Sequence, residues 1–352
     1  MPRITEQELK RQLESGQLST LYVLAGEEKY IVRRAARQLI DRAAGDAFPE
    51  FNRNELDGSC PIDRLADAAE ALPFMAEHKC VAVQDLDFLE RDGTEADKLY
   101  ELLGNLPGST TLVIWFPTWA PGKKYAAKWS AFLKKAESWG QVLLCPRRTQ
   151  EELGRLLAAA AKKVGCAFPA NSRRRLVEYA GQDLARLLGE TEKLCAYALG
   201  TGQAEITTGM VEKLVPKSTE ITVFLMVDAL TAGNFQRAYG LLEELFRQQE
   251  KPTSILAALS SAYVDMYRVQ AALDSGLPAS APMGYADYKG KSFRLERAQR
   301  SGRKLGGPAL CQCLSLLLEA DLALKGSRLQ ERVVLDGLIA QLLLATTQGA
   351  DR

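Results

Sequence analysis

Strand-like and helix-like patterns alternate through the first 146 residues, and after that only helix-like patterns remain. Apolar, β-rich runs occupy 21–25, 80–83, 111–116 and 142–145, with a weaker extended stretch at 51–56. Helical patterns lie between them, at 29–44, 62–72, 96–103 and 125–138. Continuous apolar strands separated by helices are typical of a parallel sheet with both faces covered. The chain therefore begins with an α/β domain.

The remaining sequence predicts helices only. Thr149 and Glu152 form a capping-box pattern, which predicts a helix beginning just after Thr149. Residues 147–217 are interpreted as a small helical domain, and "PKSTE" at 216–220 as a linker. Residues 218–352 are interpreted as a C-terminal helical domain with two or three long helices before a Gly/Pro-containing loop and two after it. The predicted fold is thus α/β plus all-α, in three domains.

Composition narrows the possible functions. A net charge of +1 argues against a protein whose main role is coating nucleic acid, although a local basic face stays possible. Seven scattered cysteines without a CxxC pair predict a reducing compartment and no zinc site. No segment approaches the roughly 18 to 20 apolar residues of a membrane span, so a cytoplasmic protein without membrane contact is expected. The single histidine, His78, is interpreted as a polar residue before a strand rather than a catalyst.

The stretch "LYVLAGEEKYIVRRA" has the strand–turn–helix order of a phosphate-binding loop without its chemistry. Such a loop requires G-x-x-x-x-G-K-[ST], whose amides, lysine and hydroxyl bind phosphates and magnesium. Here Gly26 is followed by Glu27, Glu28 and Lys29. Carboxylates would repel an anion, so Gly26 is predicted to form a tight turn and no nucleotide cofactor is expected.

Two further features resemble parts of an ATPase site. Asp85 and Asp87 follow an apolar strand, where ATPases hold magnesium. Without a phosphate loop, turn and cap roles are the favoured interpretation of both. Arg186 in "AGQDLARLLGETEKL" could contact a γ-phosphate, but a solvated helix face is the favoured interpretation.

The segment "PGKKYAAKWSAFLKK" is basic and aromatic. Lys123, Lys124 and Lys128 are candidate DNA contacts, because a basic helix can follow a nucleic-acid backbone. Alternatively, these lysines form the solvent-exposed side of a helix whose apolar side, Trp129 and Phe132, is buried. The alternative is favoured by the sequence.

The stretch "ALPFMAEHK" places large apolar residues at the end of a helix. In the helix predicted over 62–72, Leu65, Ala69 and Leu72 lie on one face. Pro73 ends this helix. Phe74 and Met75 follow at once, and burying each is worth roughly 1.5–3 kcal/mol. They pack either into the protein's own core or into a partner's pocket. The pattern alone favours the core.

Several stretches, in their order and spacing, carry a resemblance over nearly the whole chain. They are "LYVLAGEEKYIVRRA", "ELDG", "LADAAEALPFMAEHKCVAVQD", "LGETEKLCAYA", "ITVFLMVDAL", "GNFQRAYGLLEELF" and "LEADLALKG". The chain resembles the delta subunit family of bacterial DNA polymerase III clamp loaders. The resemblance implies an AAA+-like α/β domain over 1–146, a helical lid over 147–217 and a helical collar domain over 218–352.

The resemblance also implies the function. Members of this family bind the beta sliding clamp and help open it for loading onto primed DNA, without ATP hydrolysis of their own. The clamp-binding residues would be Leu72, Phe74 and Met75, which reverses the preference for a core role. Other implied partners are the clamp-loader ATPase subunits, delta-prime and primed DNA within the assembled complex. No catalytic residue, cofactor or metal is implied, although the holoenzyme is a nucleotidyltransferase.

Two other functions stay open from the residues alone. A divergent AAA+ ATPase would use Asp85 and Arg186 with an unusual phosphate loop. A helical scaffold without a replication role would bury Phe74 and Met75 in its own core.

Overall fold

The structure is a computed structural model of the chain. The described residues are 3–89, 91, 93–118, 123–286, 288, 293–303, 305–326 and 329–350. The chain divides into two compact units, Met1–Arg148 and Thr149–Arg352. The three-domain division drawn from the sequence remains a prediction.

A parallel sheet forms the middle of the first unit. Its strands are β1 (Arg3–Ile4), β2 (Leu21–Gly26), β3 (Arg53–Asp57), β4 (Lys79–Gln84), β5 (Thr110–Trp115) and β6 (Gln141–Cys145). The order across the sheet is β1-β6-β2-β5-β4-β3, and all five pairings are parallel. Strands β2, β4 and β5 each have five consecutive buried residues, which explains their nearly continuous apolar sequences. The predicted parallel sheet is confirmed.

Helices cover both faces of this sheet. They are α1 (Glu6–Ser15), α2 (Lys29–Ala44), α3 (Pro49–Asn52), α4 (Ile62–Glu70), α5 (Gly93–Gly104) and α6 (Ala126–Trp139), with a 3-10 turn at Lys123–Tyr125. Helix α2 packs against β2, β4 and β5. Alternate strand residues form a cluster with side chains of α4, α5 and α6 instead. Because side chains alternate along a strand, this cluster lies on the face opposite α2.

The sequence located the main elements of this unit but misplaced the end of α4. The predicted helix at 29–44 has the observed bounds of α2, and the five predicted strands correspond to β2–β6 with shifted ends. Strand β1 was not predicted, and residues 51 and 52 of the weak extended stretch belong to α3. Helix α4 ends at Glu70 rather than at residue 72, because Ala71 is extended with φ −56° and ψ 144°. The expectation that Leu72 lies on the buried face of Leu65 and Ala69 is therefore wrong. Pro73 disfavours helical dihedrals at Leu72, so the helix cannot continue to it.

The regular structure of the second unit, in its described part, is helical, apart from an isolated bridge between Ala167 and Glu205; a 3-10 turn lies at Ala281–Gly284. Its helices are α7 (Gln150–Lys163), α8 (Ala170–Ala180), α9 (Leu184–Gly200), α10 (Thr208–Leu214), α11 (Thr219–Thr231), α12 (Phe235–Arg247), α13 (Pro252–Asp274), α14 (Phe293–Gly302), α15 (Gly307–Gly326) and α16 (Glu331–Ala350). The predicted capping box is confirmed: Glu152 N–H donates to Thr149 Oγ1 at 3.2 Å and Thr149 N–H donates to Glu152 Oε2 at 2.8 Å. Ser218 caps α11, so that helix begins inside the predicted linker.

Helix α15 corrects one expectation from the sequence. It has 20 residues and is long and apolar enough to cross a membrane by length and composition. No segment was expected to approach that length. Its buried residues Leu310, Cys313, Leu317 and Ala320 belong to one hydrophobic core shared by α11–α16. One such helix is weak evidence for a membrane span, and 22% of the tested 18-residue window is buried within the protein.

Candidate functional site

Three large apolar side chains project from the loop that follows α4. Leu72 is 86% exposed, Met75 is 75% exposed and Phe74 is 47% exposed. We call these residues the apolar tip. The sequence pattern alone favoured a core position for Phe74 and Met75, and the scaffold hypothesis required it. Their exposure contradicts that expectation, because Pro73 and the end of α4 turn the chain outward.

A buried asparagine holds the backbone of this loop. Asn52 is fully buried at the end of α3. Its Nδ2 donates to the carbonyl oxygen of Phe74 at 2.9 Å, and its Oδ1 accepts from the Phe74 N–H at 2.7 Å. Nδ2 also donates to the carbonyl oxygen of Ala47 at 2.9 Å. One side-chain amide thus fixes two chain segments that are 22 positions apart.

Two further aromatic side chains stand beside Phe74. The ring centroid of Phe51 lies 4.8 Å from that of Phe74, and the ring centroid of Phe48 lies 5.5 Å from it in an edge-on arrangement. Both side chains are exposed. We call Phe48 and Phe51 the aromatic shelf. Sequence reasoning missed the shelf, although two phenylalanines around a proline in the polar stretch "DAFPEFN" were a signal.

The tip and the shelf each contain a residue in a left-handed conformation. Phe48 has φ 48° and Met75 has φ 47°. Bulky residues rarely adopt this conformation, and it persists where surrounding contacts impose it. Asn52 bonds the carbonyl immediately before each of these residues, at Ala47 and at Phe74. The asparagine therefore supports both strained positions.

The base of the loop is tied to the sheet at the end of α4. Lys79 is buried, and its Nζ donates to the carbonyl oxygen of Ala68 at 2.6 Å. Thr110 Oγ1 donates to the carbonyl oxygen of Ala69 at 2.7 Å. These bonds satisfy carbonyls that a helix end leaves open, and a cation is favourable there. Burial lowers the pKa of the Lys79 ammonium group.

The turn after β2, where a phosphate loop would lie, is closed against β6. The Glu28 N–H donates to the carbonyl oxygen of Cys145 at 3.1 Å. Gly26 has φ 141°, and a Cβ atom added to it would lie 2.1 Å from that same oxygen. Glu28 is itself buried. The predicted tight turn at Gly26 is confirmed, and a backbone amide that could bind phosphate is already bonded within the protein.

Asp85 has the turn role that the sequence favoured. It has φ 50°, and its carboxylate accepts from Thr118 Oγ1 at 2.5 Å and from Thr118 N–H at 3.3 Å. Lys29 Nζ donates to the carbonyl oxygen of Phe116 at 3.2 Å. Burial lowers the pKa of Lys29, while the nearby Asp85 carboxylate opposes that shift. The Asp87 N–H donates to the carbonyl oxygen of Gly58 at 3.0 Å, which joins the ends of β4 and β3.

Arg186 lies in the second unit and is half-buried, so the solvated position favoured for it is only partly correct. Its Nη2 donates to the carbonyl oxygen of Pro216 at 3.0 Å. Its backbone N–H bonds the Asp183 side chain that caps α9. The guanidinium thus has a structural contact within its own unit.

The basic segment presents lysines on the outside of an aromatic cluster. Trp129 and Phe132 stack at 5.8 Å between ring centroids. Phe132 is buried and Trp129 is half-buried, so the predicted buried side of α6 is confirmed for Phe132 and only partly for Trp129. Lys128 is exposed, and its Nζ donates to the carbonyl oxygen of Leu89 at 3.0 Å. Lys124 is exposed beside Tyr125. Lys123 lies in the 3-10 turn, and its side chain is outside the described part.

The single histidine has no site around it in the described part of the chain. His78 is exposed and directly precedes β4, as the sequence predicted. Among the described residues no group of three or more His, Cys, Asp or Glu side chains is arranged to hold a metal ion. DNA contact by Lys123, Lys124 and Lys128 stays a prediction.

Comparison with known proteins gives consistent matches along the chain. Residues 22–142 match the family model described as DNA polymerase III, delta subunit, and residues 220–342 match the model of the DNA polymerase III delta subunit, C-terminal domain. The DNA polymerase III subunit delta of Bacillus subtilis is 22% identical over 344 residues, covering 95% of each protein. That of Escherichia coli is 23% identical over 262 residues, covering 74% of this chain and 73% of the relative.

A solved structure matches over the same length. The Bacillus subtilis DNA clamp loader delta protein superposes with a TM-score of 0.66 and 20% sequence identity. The match covers 96% of this chain and 99% of the solved one. At this identity the likeness establishes the fold, which agrees with the α/β and helical parts described above.

Proposed function

The chain belongs to the DNA polymerase III delta subunit family, and from this premise we propose that it binds the beta sliding clamp through Leu72, Phe74 and Met75. In this role it helps to open the clamp for loading onto primed DNA. The protein is a clamp-loader delta subunit. The proposal concerns its contacts and its lack of catalysis.

The exposure of the apolar tip on a fixed loop is the observation that carries the proposal. Leu72 and Met75 are more than two thirds exposed, and burying a side chain of this kind is worth roughly 1.5–3 kcal/mol. A partner with an apolar pocket would recover that energy. Anchors of this kind dominate the binding energy of many interfaces. The bonds from Asn52 reduce the conformational entropy that the loop would lose on binding.

The closed turn after β2 supports a subunit that does not hydrolyse ATP. The Glu28–Cys145 bond and the Gly26 contact leave no open cradle at this position. Asp85 is bonded to Thr118, and Arg186 is bonded to Pro216. Both residues of the divergent-ATPase hypothesis thus have structural partners. In the proposed function, ATP is bound and hydrolysed by other subunits of the loader.

The helical unit supplies surfaces for the remaining proposed partners. Leu318 and Leu322 on α15 and Val333 on α16 are exposed, as expected for a collar that contacts the ATPase subunits and delta-prime. Primed DNA would be bound within that assembly. Such a complex acts in the cytoplasm, where replication takes place.

Binding to the purified sliding clamp of the same organism tests the proposal. We expect the wild-type protein to bind in surface plasmon resonance without nucleotide. Phe74→Ala/Met75→Ala should lose about 2 kcal/mol or more of binding free energy, while its melting temperature falls only slightly through the loss of the ring contacts of Phe74. Leu72→Ala should weaken binding in the same direction.

The second unit offers a matched control. Phe235 and Met283 are each 48% exposed, so Phe235→Ala/Met283→Ala removes the same side chains from another surface. This control should bind the clamp as tightly as the wild type. No wild-type binding, or normal binding by the Phe74/Met75 double variant, would refute the proposed function.

A further inference from the structure

We propose that the segment Phe48–Asn52 is a second, pre-formed part of the clamp-binding surface. In this arrangement Asn52 is a positioning residue for the apolar tip, and the aromatic shelf of Phe48 and Phe51 contacts the clamp next to Phe74. The inference rests on the proposed function and extends it to a different element of the chain. The sequence pattern does not predict that these two segments are in contact, because α3 and the tip loop are far apart along the chain.

Asn52 supplies the hydrogen bonds that tie the loop 72–78 to the rest of the unit. Within these residues, all of which the structure describes, the Phe74 N–H and carbonyl are the backbone groups that bond outside the loop, and both bond Asn52. The next backbone bonds lie at Ala71 and at Lys79. Without Asn52 the loop would sample other conformations. Apparent affinity falls in proportion to the population of the binding conformation.

The left-handed residues indicate which conformation the asparagine selects. Phe48 and Met75 both have positive φ, and Asn52 Nδ2 bonds the carbonyl before each one. A strained backbone relaxes once the contacts that impose it are removed. The direction in which Met75 points would then change. Its side chain is an exposed part of the tip, so the effect of Asn52 reaches the binding surface.

The shelf is continuous with the tip. Phe51 lies 4.8 Å from Phe74 between ring centroids, and its side chain is 58% exposed. A pocket that encloses the outer face of Phe74 would therefore also meet Phe51. The rings of Phe48, Phe51 and Phe74 thus form one exposed aromatic cluster, and the exposed Leu72 and Met75 lie within two residues of Phe74 in the chain. Exposed apolar surface of this kind marks an interaction site. The occupant to which the inference commits is the sliding clamp.

Three single variants test the two roles in the full-length protein. Asn52→Leu removes all the side-chain bonds while keeping the number of side-chain heavy atoms, and we expect clamp affinity to fall about tenfold. Phe51→Ala should weaken the affinity about fivefold or more without lowering the melting temperature, since its ring is exposed. Phe235→Ala is the matched control, because Phe235 is exposed and contacts Tyr239 at 4.4 Å between ring centroids. It should leave the affinity unchanged.

Two further measurements separate positioning from general stability. Hydrogen exchange at the Phe74 amide should accelerate in Asn52→Leu but remain slow in Leu72→Ala. Asn52→Leu should weaken clamp affinity less in a Phe74→Ala/Met75→Ala background than in the wild type, because two of the side chains that Asn52 positions are then absent. If Asn52→Leu does not fold, Asn52→Asp retains the acceptor for the Phe74 N–H and removes both donated bonds. Its affinity should also fall.

The outcomes distinguish this inference from the proposed function. The inference is overturned if two results are found together while the Phe74/Met75 double variant binds weakly. These results are wild-type clamp affinity in the Asn52 variant that folds, Asn52→Leu or Asn52→Asp, and wild-type clamp affinity in Phe51→Ala. The proposed function would stand in that case. If the double variant itself binds normally, both fail together.

Discussion

The α-carbon of Gly26 faces the carbonyl of Cys145 so closely that a Cβ atom on residue 26 would stand 2.1 Å from the carbonyl oxygen. The same oxygen accepts the Glu28 N–H at 3.1 Å. Strand β2 therefore turns into α2 directly against the end of β6. This contact explains why the chain has the frame of a phosphate site without an open loop.

Gly26→Ala should destabilise the first unit strongly. The added Cβ collides with backbone, and φ 141° is a conformation that alanine rarely adopts. We expect a loss of about 2–4 kcal/mol in the free energy of unfolding, measured by urea denaturation. Gly189→Ala is the control, since Gly189 lies inside α9 and an added Cβ meets nothing within 4 Å. Gly189→Ala should raise the free energy of unfolding by roughly 0.5–1 kcal/mol. Equal stability of Gly26→Ala and wild type would disprove the tight contact.

Magnesium ATP should leave the melting temperature of the isolated protein unchanged. A ligand at one hundred times its Kd stabilises the native state by about 2.7 kcal/mol, which thermal melting detects easily. The closed turn at Gly26 and Glu28 offers no cradle for such binding. A saturable, magnesium-dependent rise in melting temperature would support the divergent-ATPase hypothesis instead.

The buried Lys79 should make the free energy of unfolding depend on pH in the alkaline range. Burial lowers its folded pKa below the unfolded value, so the unfolded state binds more protons between these two values. Stability contributed by this group therefore rises with pH through that window. We expect the free energy of unfolding of Lys79→Met, relative to wild type, to be most favourable at pH 7 and to decline towards pH 10. Comparing two proteins cancels the other titrating groups. A difference that is independent of pH would contradict the lowered pKa.

Asp265 should be among the costliest residues to remove from the helical unit. It is buried, accepts from Arg294 Nε at 2.8 Å and from Tyr288 Oη at 2.5 Å, and holds α14 on α13. Asp265→Ala leaves the Arg294 charge without this partner, at a cost of about 3–5 kcal/mol. Asp321→Ala breaks an exposed pair with Lys325 and should cost less than about 1 kcal/mol. Urea denaturation of both variants checks the difference, and equal losses would contradict it.

A single cysteine should react quickly with a thiol reagent. Cys311 is exposed, whereas the other six cysteines are buried. Burial raises the pKa of Cys80, Cys145 and Cys313 to about 12, and the thiolate is the reactive form. DTNB should therefore titrate one thiol in the native protein and seven in urea. Cys311→Ser should abolish the fast phase; a fast phase that survives would show that a buried thiol is accessible.

Some features were readable from the sequence because their causes are local. Helix α2 follows from apolar periodicity, α7 from the capping pair Thr149 and Glu152, and the strands from short β-rich runs. The two glutamates after Gly26 already argued against a phosphate. Helix α14 was missed, because its buried apolar stripe is short, Leu295 and Ala298, and ion pairs from Arg294 and Arg297 to other helices add to its contacts.

The sequence by itself determined the order of the main elements, the parallel sheet followed by helices, and the presence of large apolar residues around Pro73. Only the tertiary structure decided that Asn52 bonds Phe74, and that Phe48 and Phe51 stand beside it. The reason is physical. Periodicity and capping act over a few residues along the chain, whereas the exposure and orientation of the tip depend on hydrogen bonds and ring contacts between residues that only folding brings together.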